Sequence, residues 1–177
     1  MALSVVYVHD TGHVVGALAL TGAGAPADVA SLVGRALPFR VPLDRGRTVT
    51  LGLDAKELRV ATVDDEPGVF AEPLAFGVEL VEDKPKPTLV RLKAWKDGLK
   101  LSTTELGVTV TDASARPTKV VALVSDEQDT LVLTAQIPAN KQAVNLPVSF
   151  AEKSSHGVLV LASGWAGRLE TLKAVAP

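Results

Sequence analysis

The sequence predicts a mainly β fold, built from the strands of a β-sandwich or a barrel, with one short helix near residues 28–36. Three observations lead to this prediction. Short runs rich in Val, Leu and Thr recur along the 177 residues, and residues typical of turns separate them. The second half holds eight such runs in about ninety residues, a spacing typical of all-β domains. Apolar residues recur at helical spacing in one segment alone.

The first two strands are expected to form a β-hairpin. Leu3 to Val8 and Val14 to Thr21 are apolar runs, and a short polar segment that contains Thr11-Gly12 separates them. An X-Gly pair between two apolar runs indicates a tight turn, because glycine adopts the backbone angles that such turns need. These two runs therefore predict an antiparallel pair.

The helix is expected after Asp28, whose side chain can accept hydrogen bonds from the first backbone N–H groups of a helix. The apolar residues that follow recur at helical spacing: Val29, Leu32, Val33 and Ala36. We expect no other helix in the chain. The residues from Leu37 to Pro42 are expected to be extended, because Pro38 and Pro42 disfavour helical angles in the residues before them.

Alternating patterns predict further strands in the first half. Val49, Leu51 and Leu53 would share one face of a strand, with small or polar residues on the other face. The alternation continues from Leu58, and another run starts at Phe76. We expect these segments to be half-buried strands.

Residues 84–87, Lys-Pro-Lys-Pro, are the best candidate for a linker, because alternating prolines favour a stiff, extended connection. The sequence therefore predicts two halves and leaves open whether they are separate domains. The first, residues 1–83, would be β-rich and would carry the short helix. The second, residues 88–177, would be sandwich-like.

The second half has the clearer strand pattern. Asp97-Gly98 lies between the runs Leu89–Lys96 and Leu99–Thr104, and this arrangement predicts another hairpin. Six further runs complete the predicted strands: Gly107–Thr111, Lys119–Val124, Thr130–Ile137, Ala143–Phe150, Gly157–Ala162 and Arg168–Ala174.

The composition excludes several classes of protein. Apolar residues make up 47% of the chain and charged residues 21%, which is the balance of a folded globular protein. Lys and Arg number 18 against 20 Asp and Glu, so the chain lacks the basic surface that nucleic acid requires. The absence of cysteine excludes disulfides and thiol nucleophiles, and it fits a reducing cytoplasm.

No segment predicts export or a membrane span. The first residues lack the basic region of a signal peptide and soon reach His9 and Asp10. The longest apolar stretch, residues 14–27, is interrupted by glycine and proline and is too short to cross a bilayer. We expect a cytoplasmic protein that binds neither a membrane nor nucleic acid.

The segment from His9 to His13 is the first place where chemistry could reside. Its Asp10-Thr11-Gly12 resembles the core motif of aspartic proteases, in which two such aspartates activate a water molecule. Two histidines beside a carboxylate, with His156 elsewhere in the chain, are also residue types that bind zinc or iron. The same residues are ordinary in a hairpin turn, because Asp and Gly tolerate unusual backbone angles. The turn is the favoured interpretation.

The two tryptophans, Trp95 and Trp165, are candidate contact residues. An exposed tryptophan can stack on a sugar or anchor a partner, because its large apolar ring carries one polar group. Trp95 lies in a predicted strand, where it would be either core or an exposed platform. Trp165 lies in a predicted turn, where an aromatic more often marks a contact surface.

These observations favour a structural role over catalysis. We expect a non-enzymatic assembly subunit of a multiprotein bacterial particle, of the phage-tail or contractile injection type. It would bind other protein subunits as a homo- or hetero-oligomer, because strand edges and a high apolar fraction favour protein contacts. No catalytic residue, metal ligand or cofactor is assigned. The candidates for contact are His9, Asp10, His13, Trp95 and Trp165.

Two other functions stay open. The first is a ligand-binding or adaptor β-domain, with carbohydrate as one ligand class and Trp95 or Trp165 as the contact. The second is an aspartic-protease-like enzyme that uses the Asp10-Thr11-Gly12 turn.

Overall fold

The computed structural model describes residues 3–19, 28–79 and 87–177. The fold is mainly β, as predicted, with 56% of residues in strands and 11% in helices. The described residues form 14 strands, two short α-helices and three 3-10 helices, the last at Asp44–Gly46, Ala55–Glu57 and Pro73–Ala75. The strands are β1 (Leu3–Val8), β2 (Val14–Ala19), β3 (Ala36–Pro42), β4 (Thr48–Asp54), β5 (Leu58–Val63), β6 (Phe76–Glu79), β7 (Thr88–Arg91), β8 (Leu99–Leu101), β9 (Glu105–Thr109), β10 (Thr118–Asp126), β11 (Asp129–Ile137), β12 (Ala143–Pro147), β13 (Ser155–Ala162) and β14 (Arg168–Lys173). The α-helices are α1 (Val29–Val33) and α2 (Gly68–Ala71).

The chain divides into two compact units, and each unit is assembled from separate segments. Unit 1 contains Met1–Leu37, Leu53–Ala94 and Ser163–Gly167, whereas unit 2 contains Pro38–Gly52, Trp95–Ala162 and Arg168–Pro177. Each unit draws on both halves of the sequence, so the units do not coincide with residues 1–83 and 88–177. Residues 84–86 of the predicted linker lie outside the described residues.

Unit 1 contains a three-stranded sheet of order β2-β1-β5. The central strand β1 pairs antiparallel with both neighbours. The hairpin predicted from Thr11-Gly12 is confirmed, and a change of register between Val6 and Tyr7 interrupts it. A separate antiparallel pair, β6-β7, belongs to the same unit. The core of unit 1 contains Leu3, Val5, Val14, Ala61, Val63, Val69 and Phe76.

The predicted helix is confirmed at α1, although it is only five residues long. The Asp28 carboxylate accepts a hydrogen bond from the backbone N–H of Ser31 at 2.8 Å, as an N-cap residue does. Gly34 ends the helix with a φ of 71°, an angle that favours glycine. The expectation of a single helix is wrong, because α2 follows the acidic residues 64–66 and buries Val69. No helix of the described ranges has the length and apolar character needed to cross a membrane.

Unit 2 is a β-sandwich of two antiparallel sheets, with strand orders β12-β9-β8 and β11-β10-β13-β14. The chain passes between these sheets after β9, after β11 and after β12, which is the connection pattern of a Greek-key sandwich. Both sheets contribute buried apolar residues, among them Leu106, Val108, Leu146, Val120, Ala122, Val158 and Val160. All seven strands of these two sheets come from the second half of the sequence.

The β3-β4 ribbon packs against β13 through residues of unit 2. A Cβ atom added to Gly157 would lie 2.9 Å from the side chains of Val41 and Val49. The ribbon can therefore approach the strand this closely only because residue 157 has no side chain. This contact positions the turn between β3 and β4 beside the start of β13.

The hairpin predicted around Asp97-Gly98 is wrong. β7 pairs with β6, and β8 pairs with β9, so the strands on either side of Asp97-Gly98 do not pair with each other. Asp97 and Gly98 do adopt the left-handed φ angles of a turn, 58° and 78°. The carbonyl of Gly98 accepts a hydrogen bond from the N–H of Thr109 at 2.8 Å, so this turn joins β9 instead of closing a hairpin.

Candidate functional site

The His9–His13 segment forms the turn between β1 and β2, as the favoured interpretation predicted. The N–H of Gly12 donates to the carbonyl of Val8, and the N–H of Val8 donates to the carbonyl of His13, each at 2.8 Å. His9 and Asp10 are exposed, whereas the side chain of His13 is fully buried. The two histidines therefore occupy opposite environments and do not form a shared surface.

His13 is a neutral structural residue. Its Nε2 lies 2.6 Å from the carbonyl oxygen of Trp165, and its Nδ1 lies 2.9 Å from the hydroxyl of Thr11. A carbonyl oxygen can only accept, so Nε2 carries the proton and Nδ1 accepts from the Thr11 hydroxyl. Burial lowers the pKa of His13 to about 4, although the hydrogen bond to the Trp165 carbonyl opposes this shift.

These contacts argue against a metal site and against a protease site in this turn. Both ring nitrogens of His13 are engaged by protein groups, so neither has a lone pair to offer a metal ion. Within the described ranges, no group of three or more His, Cys, Asp or Glu side chains is arranged to hold a metal. Asp10 lies exposed in a hairpin turn.

Both tryptophans are buried. Trp95 is a core residue, one of the two alternatives that the sequence left open, whereas the contact surface expected at Trp165 is corrected. Trp95 is 7% exposed and Trp165 is 6% exposed, so neither presents its ring to a sugar or a partner. The guanidinium of Arg168 lies 4.6 Å from the ring centre of Trp95. The ammonium of Lys93 lies 5.3 Å from the ring centre of Trp165. Both rings are therefore internal packing elements with cation–π partners.

Unit 2 contains a cavity of about 900 Å³ that the sequence did not predict. Three turns line it: the β3-β4 turn, the β10-β11 turn and the loop before β13. His156 contributes one wall, and its Nδ1 donates to the carbonyl of Ser125 at 2.6 Å because a carbonyl can only accept. Its ring stacks on Phe150 with 3.8 Å between ring centres.

Ser154 and His156 have the separation of a serine nucleophile and its base, with 2.7 Å between Oγ and Nε2. The Ser154 hydroxyl donates its single proton to the carbonyl of Ala151 at 2.6 Å, so it cannot donate to His156 as well, and the backbone N–H of Ser154 donates to the same carbonyl oxygen at 3.2 Å. This double attachment closes a turn and holds Oγ inside it. The pair therefore connects the loop to β13, which is a structural role.

The charges around the cavity nearly balance. Asp44 accepts hydrogen bonds from the ammonium of Lys173 at 3.0 Å and from the hydroxyl of Ser155 at 2.8 Å. These contacts hold the pKa of Asp44 below its usual range, and the hydrogen bond from Lys173 has the largest effect, followed by that from Ser155. The other charged side chains of the lining are Arg45, Arg47, Lys153, Asp126 and Glu127. The cavity is polar, but it has no strong preference for a ligand of one charge.

The outer edge of β11 is the most distinctive surface of unit 2. β11 is nine residues long and pairs with β10 in a continuous register from Thr118/Ile137 to Asp126/Asp129. Residues 130–137 contain no charged residue and no proline. Val132, which lies at the middle of the strand, is 58% exposed.

The geometry of the β10-β11 turn determines which backbone groups of β11 point outward. Asp126 and Asp129 enclose a two-residue turn, so they form a hydrogen-bonded pair, and such pairs alternate along the ladder. The residues in between direct their N–H and C=O groups away from β10: Thr130, Val132, Thr134 and Gln136. Their backbone groups make no hydrogen bond outside the strand ladder to any described residue.

The other edges of the two sheets are protected. β14 carries Arg168, Glu170 and Lys173, and β12 ends at Pro147. β8 is three residues long, and the N–H of Val175 donates to the carbonyl of Leu101 at its edge. Charges, proline and short length are the usual means by which proteins prevent edge strands from pairing. β11 is nine residues long, and its residues 130–137 contain neither charge nor proline.

Comparison of the chain with protein-family models, with curated proteins and with solved structures found no match. The candidate site therefore rests on geometry. None of the five residues expected to make contacts lies on β11. The signal that could have found this edge is the run 130–137, which contains no charged residue and no proline.

Proposed function

We propose that the protein is a non-enzymatic structural subunit of a multiprotein assembly and that it binds its neighbour by strand addition at β11. The observation that carries this proposal is the unprotected edge of β11, with four residues whose backbone groups point outward. A cytoplasmic origin and a bacterial particle of the phage-tail or contractile injection type belong to the same proposal. A small β-sandwich in which one edge is open for pairing supports the assembly role.

Strand addition suits this edge for a physical reason. A partner strand would satisfy the outward N–H and C=O groups with bonds perpendicular to both strands. It would also cover Val132, the exposed apolar residue at the middle of the edge. The backbone bonds supply affinity, while the side chains at alternate positions select the partner.

Replacement of Val132 by lysine tests the proposal. A charge at the centre of the edge should weaken association about tenfold or more, because lysine on an edge strand opposes pairing. The matched control is Val175→Lys, since Val175 has the same exposure of 58% but lies outside the β11 edge. Both variants should retain the wild-type stability within about 0.5 kcal/mol.

The measurement is size-exclusion chromatography with light scattering, on purified protein and on extracts in which the chain assembles with its natural neighbours. The proposal predicts that Val132→Lys lowers the mass of the assembly and that Val175→Lys leaves it unchanged. If both variants assemble like the wild type, β11 is not the contact.

The cavity favours a second candidate function, a ligand-binding or adaptor domain. It is polar and large enough for a small ligand, and carbohydrate is one class that hydroxyl and charged side chains bind. The three imidazole signals offer a direct test by NMR titration with simple sugars. A ligand in the cavity should shift the His156 signal, with the exposed His9 as the control. Unchanged His156 signals across the sugars would remove the carbohydrate version of this candidate.

A further inference from the structure

We infer that the strand that adds to β11 is β11 of a second copy of this chain, antiparallel to the first about a two-fold axis through Leu133. This inference rests on the proposed function and identifies the partner at the same edge. It requires that the edge be complementary to itself in backbone groups, in side chains and in charge.

The backbone groups are complementary in one register. With the axis at Leu133, Thr130 lies opposite Gln136 of the second copy, and Val132 lies opposite Thr134. Each of the four residues whose backbone groups point away from β10 then lies opposite such a residue of the second copy, as hydrogen-bonded pairs require. A shift of one residue would place backbone groups that point away from β10 opposite residues whose groups are already bonded to β10. A shift of two residues would leave one outward-pointing residue of each strand without a hydrogen-bonding partner. The register at Leu133 therefore makes the most hydrogen bonds.

The side chains are compatible in the same register. The two pairs, threonine with glutamine and valine with threonine, contain β-branched residues and no charge, so no like charges meet. Asp129 would lie opposite Ile137 at each end, which keeps the two Asp129 carboxylates at opposite ends of the interface. The exposed face of Val132 would rest against Thr134 of the second copy.

The paired strands would join two four-stranded sheets into one continuous sheet with β14 at both ends. Because a two-fold axis pairs the same edge of both copies, neither β11 edge remains free to bind a third copy. The remaining β14 edges carry Arg168, Glu170 and Lys173 and resist further pairing. The pairing therefore closes at a dimer, which would be the building block of any larger assembly.

Single-cysteine variants test the register, because the chain has no cysteine of its own. Leu133 would meet itself across the axis in a non-hydrogen-bonded pair, with Cα atoms about 4.5 Å apart, which is within the range of a disulfide. Leu133→Cys should therefore cross-link the dimer under mild oxidation. The matched control is Leu131→Cys, which is half-buried like Leu133 on the same face of β11. The two copies of residue 131 would lie about 13 Å apart and should not cross-link.

Light scattering of the wild type and of Val132→Lys, together with these cross-links, separates the outcomes. A dimer that cross-links at 133 and not at 131, and that Val132→Lys dissociates about tenfold more readily, supports the inference. A monomer that fails to cross-link at 133, but binds other subunits in a way that Val132→Lys abolishes, overturns self-pairing and leaves the proposed function standing. A dimer that is insensitive to Val132→Lys overturns both. Circular dichroism of both cysteine variants shows that the result is not due to misfolding.

Discussion

Lowering the pH from 6.5 to 4 is expected to cost the protein about 3 kcal/mol of folding stability through His13 alone. The folded pKa is lowered from 6.5 to about 4 by burial, whereas the unfolded chain keeps the ordinary value. Between these two values the unfolded chain binds a proton that the folded protein does not bind. Stability therefore falls as the pH falls through this window, and each unit of pKa difference contributes about 1.4 kcal/mol.

The measurement is urea unfolding of the wild type and of His13→Gln across this range of pH. Glutamine keeps one donor and one acceptor for the Trp165 carbonyl and the Thr11 hydroxyl but cannot be protonated, so the acid dependence should become shallower by about 3 kcal/mol. We expect the variant to lose about 1–2 kcal/mol at neutral pH, because its hydrogen bonds fit less well. His9→Gln is the control, since it removes an exposed imidazole from the same turn. An identical slope for His13→Gln and the wild type would refute the assignment.

Replacement of Gly98 by alanine is expected to destabilise the protein by about 3 kcal/mol. A Cβ atom at this position would lie 2.0 Å from the carbonyl oxygen of Thr109, which is backbone and cannot rotate away. The N–H of Thr109 is bonded to the carbonyl of Gly98, so relief of the clash breaks that bond. The φ of 78° adds the cost of a left-handed angle in a residue with a side chain. Overpacking costs about 1–3 kcal/mol and the left-handed angle about 1 kcal/mol.

Gly46→Ala separates the cost of the steric clash from the cost of the left-handed backbone angle. Gly46 has a φ of 71°, but a Cβ atom there would meet nothing within 4 Å, so only the cost of the backbone angle applies. Thermal and urea unfolding should show a loss of about 1 kcal/mol for Gly46→Ala and about 3 kcal/mol for Gly98→Ala. Equal losses in the free energy of unfolding of the two variants would show that the close approach of Thr109 to Gly98 adds nothing to the cost of a side chain at residue 98.

Local sequence patterns predicted most of the elements, because these patterns act over a few residues. Leu51 and Leu53 are buried on one face of β4, as their alternation predicted. The Asp28 cap and Thr11-Gly12 turn lie where the sequence placed them. In each case the stabilising contact joins neighbours in the chain, so the nearby residues are sufficient to predict it.

Local patterns did not predict strand pairing or burial that depends on residues distant in the chain. Asp97-Gly98 has the composition of a hairpin turn, yet the partner of β8 is β9, and the partner of β7 is β6. Trp165 lies in a local turn, yet distant parts of the chain bury its ring. His13 follows a glycine in an exposed turn, yet its Nε2 donates a hydrogen bond to the carbonyl of Trp165, which is 152 residues away in the sequence. A local window contains no information about these partners.

The sequence by itself determined that the protein is mainly β, where most strands lie, and that one capped helix follows Asp28. Its alternating apolar residues and turn residues were sufficient, because they act through local backbone angles and through burial of one strand face. Only the tertiary structure decided the pairing order of the strands, the composition of the two units and the exposed edge of β11. Strand order depends on which distant segments pack together, and an edge exists only once the order is established.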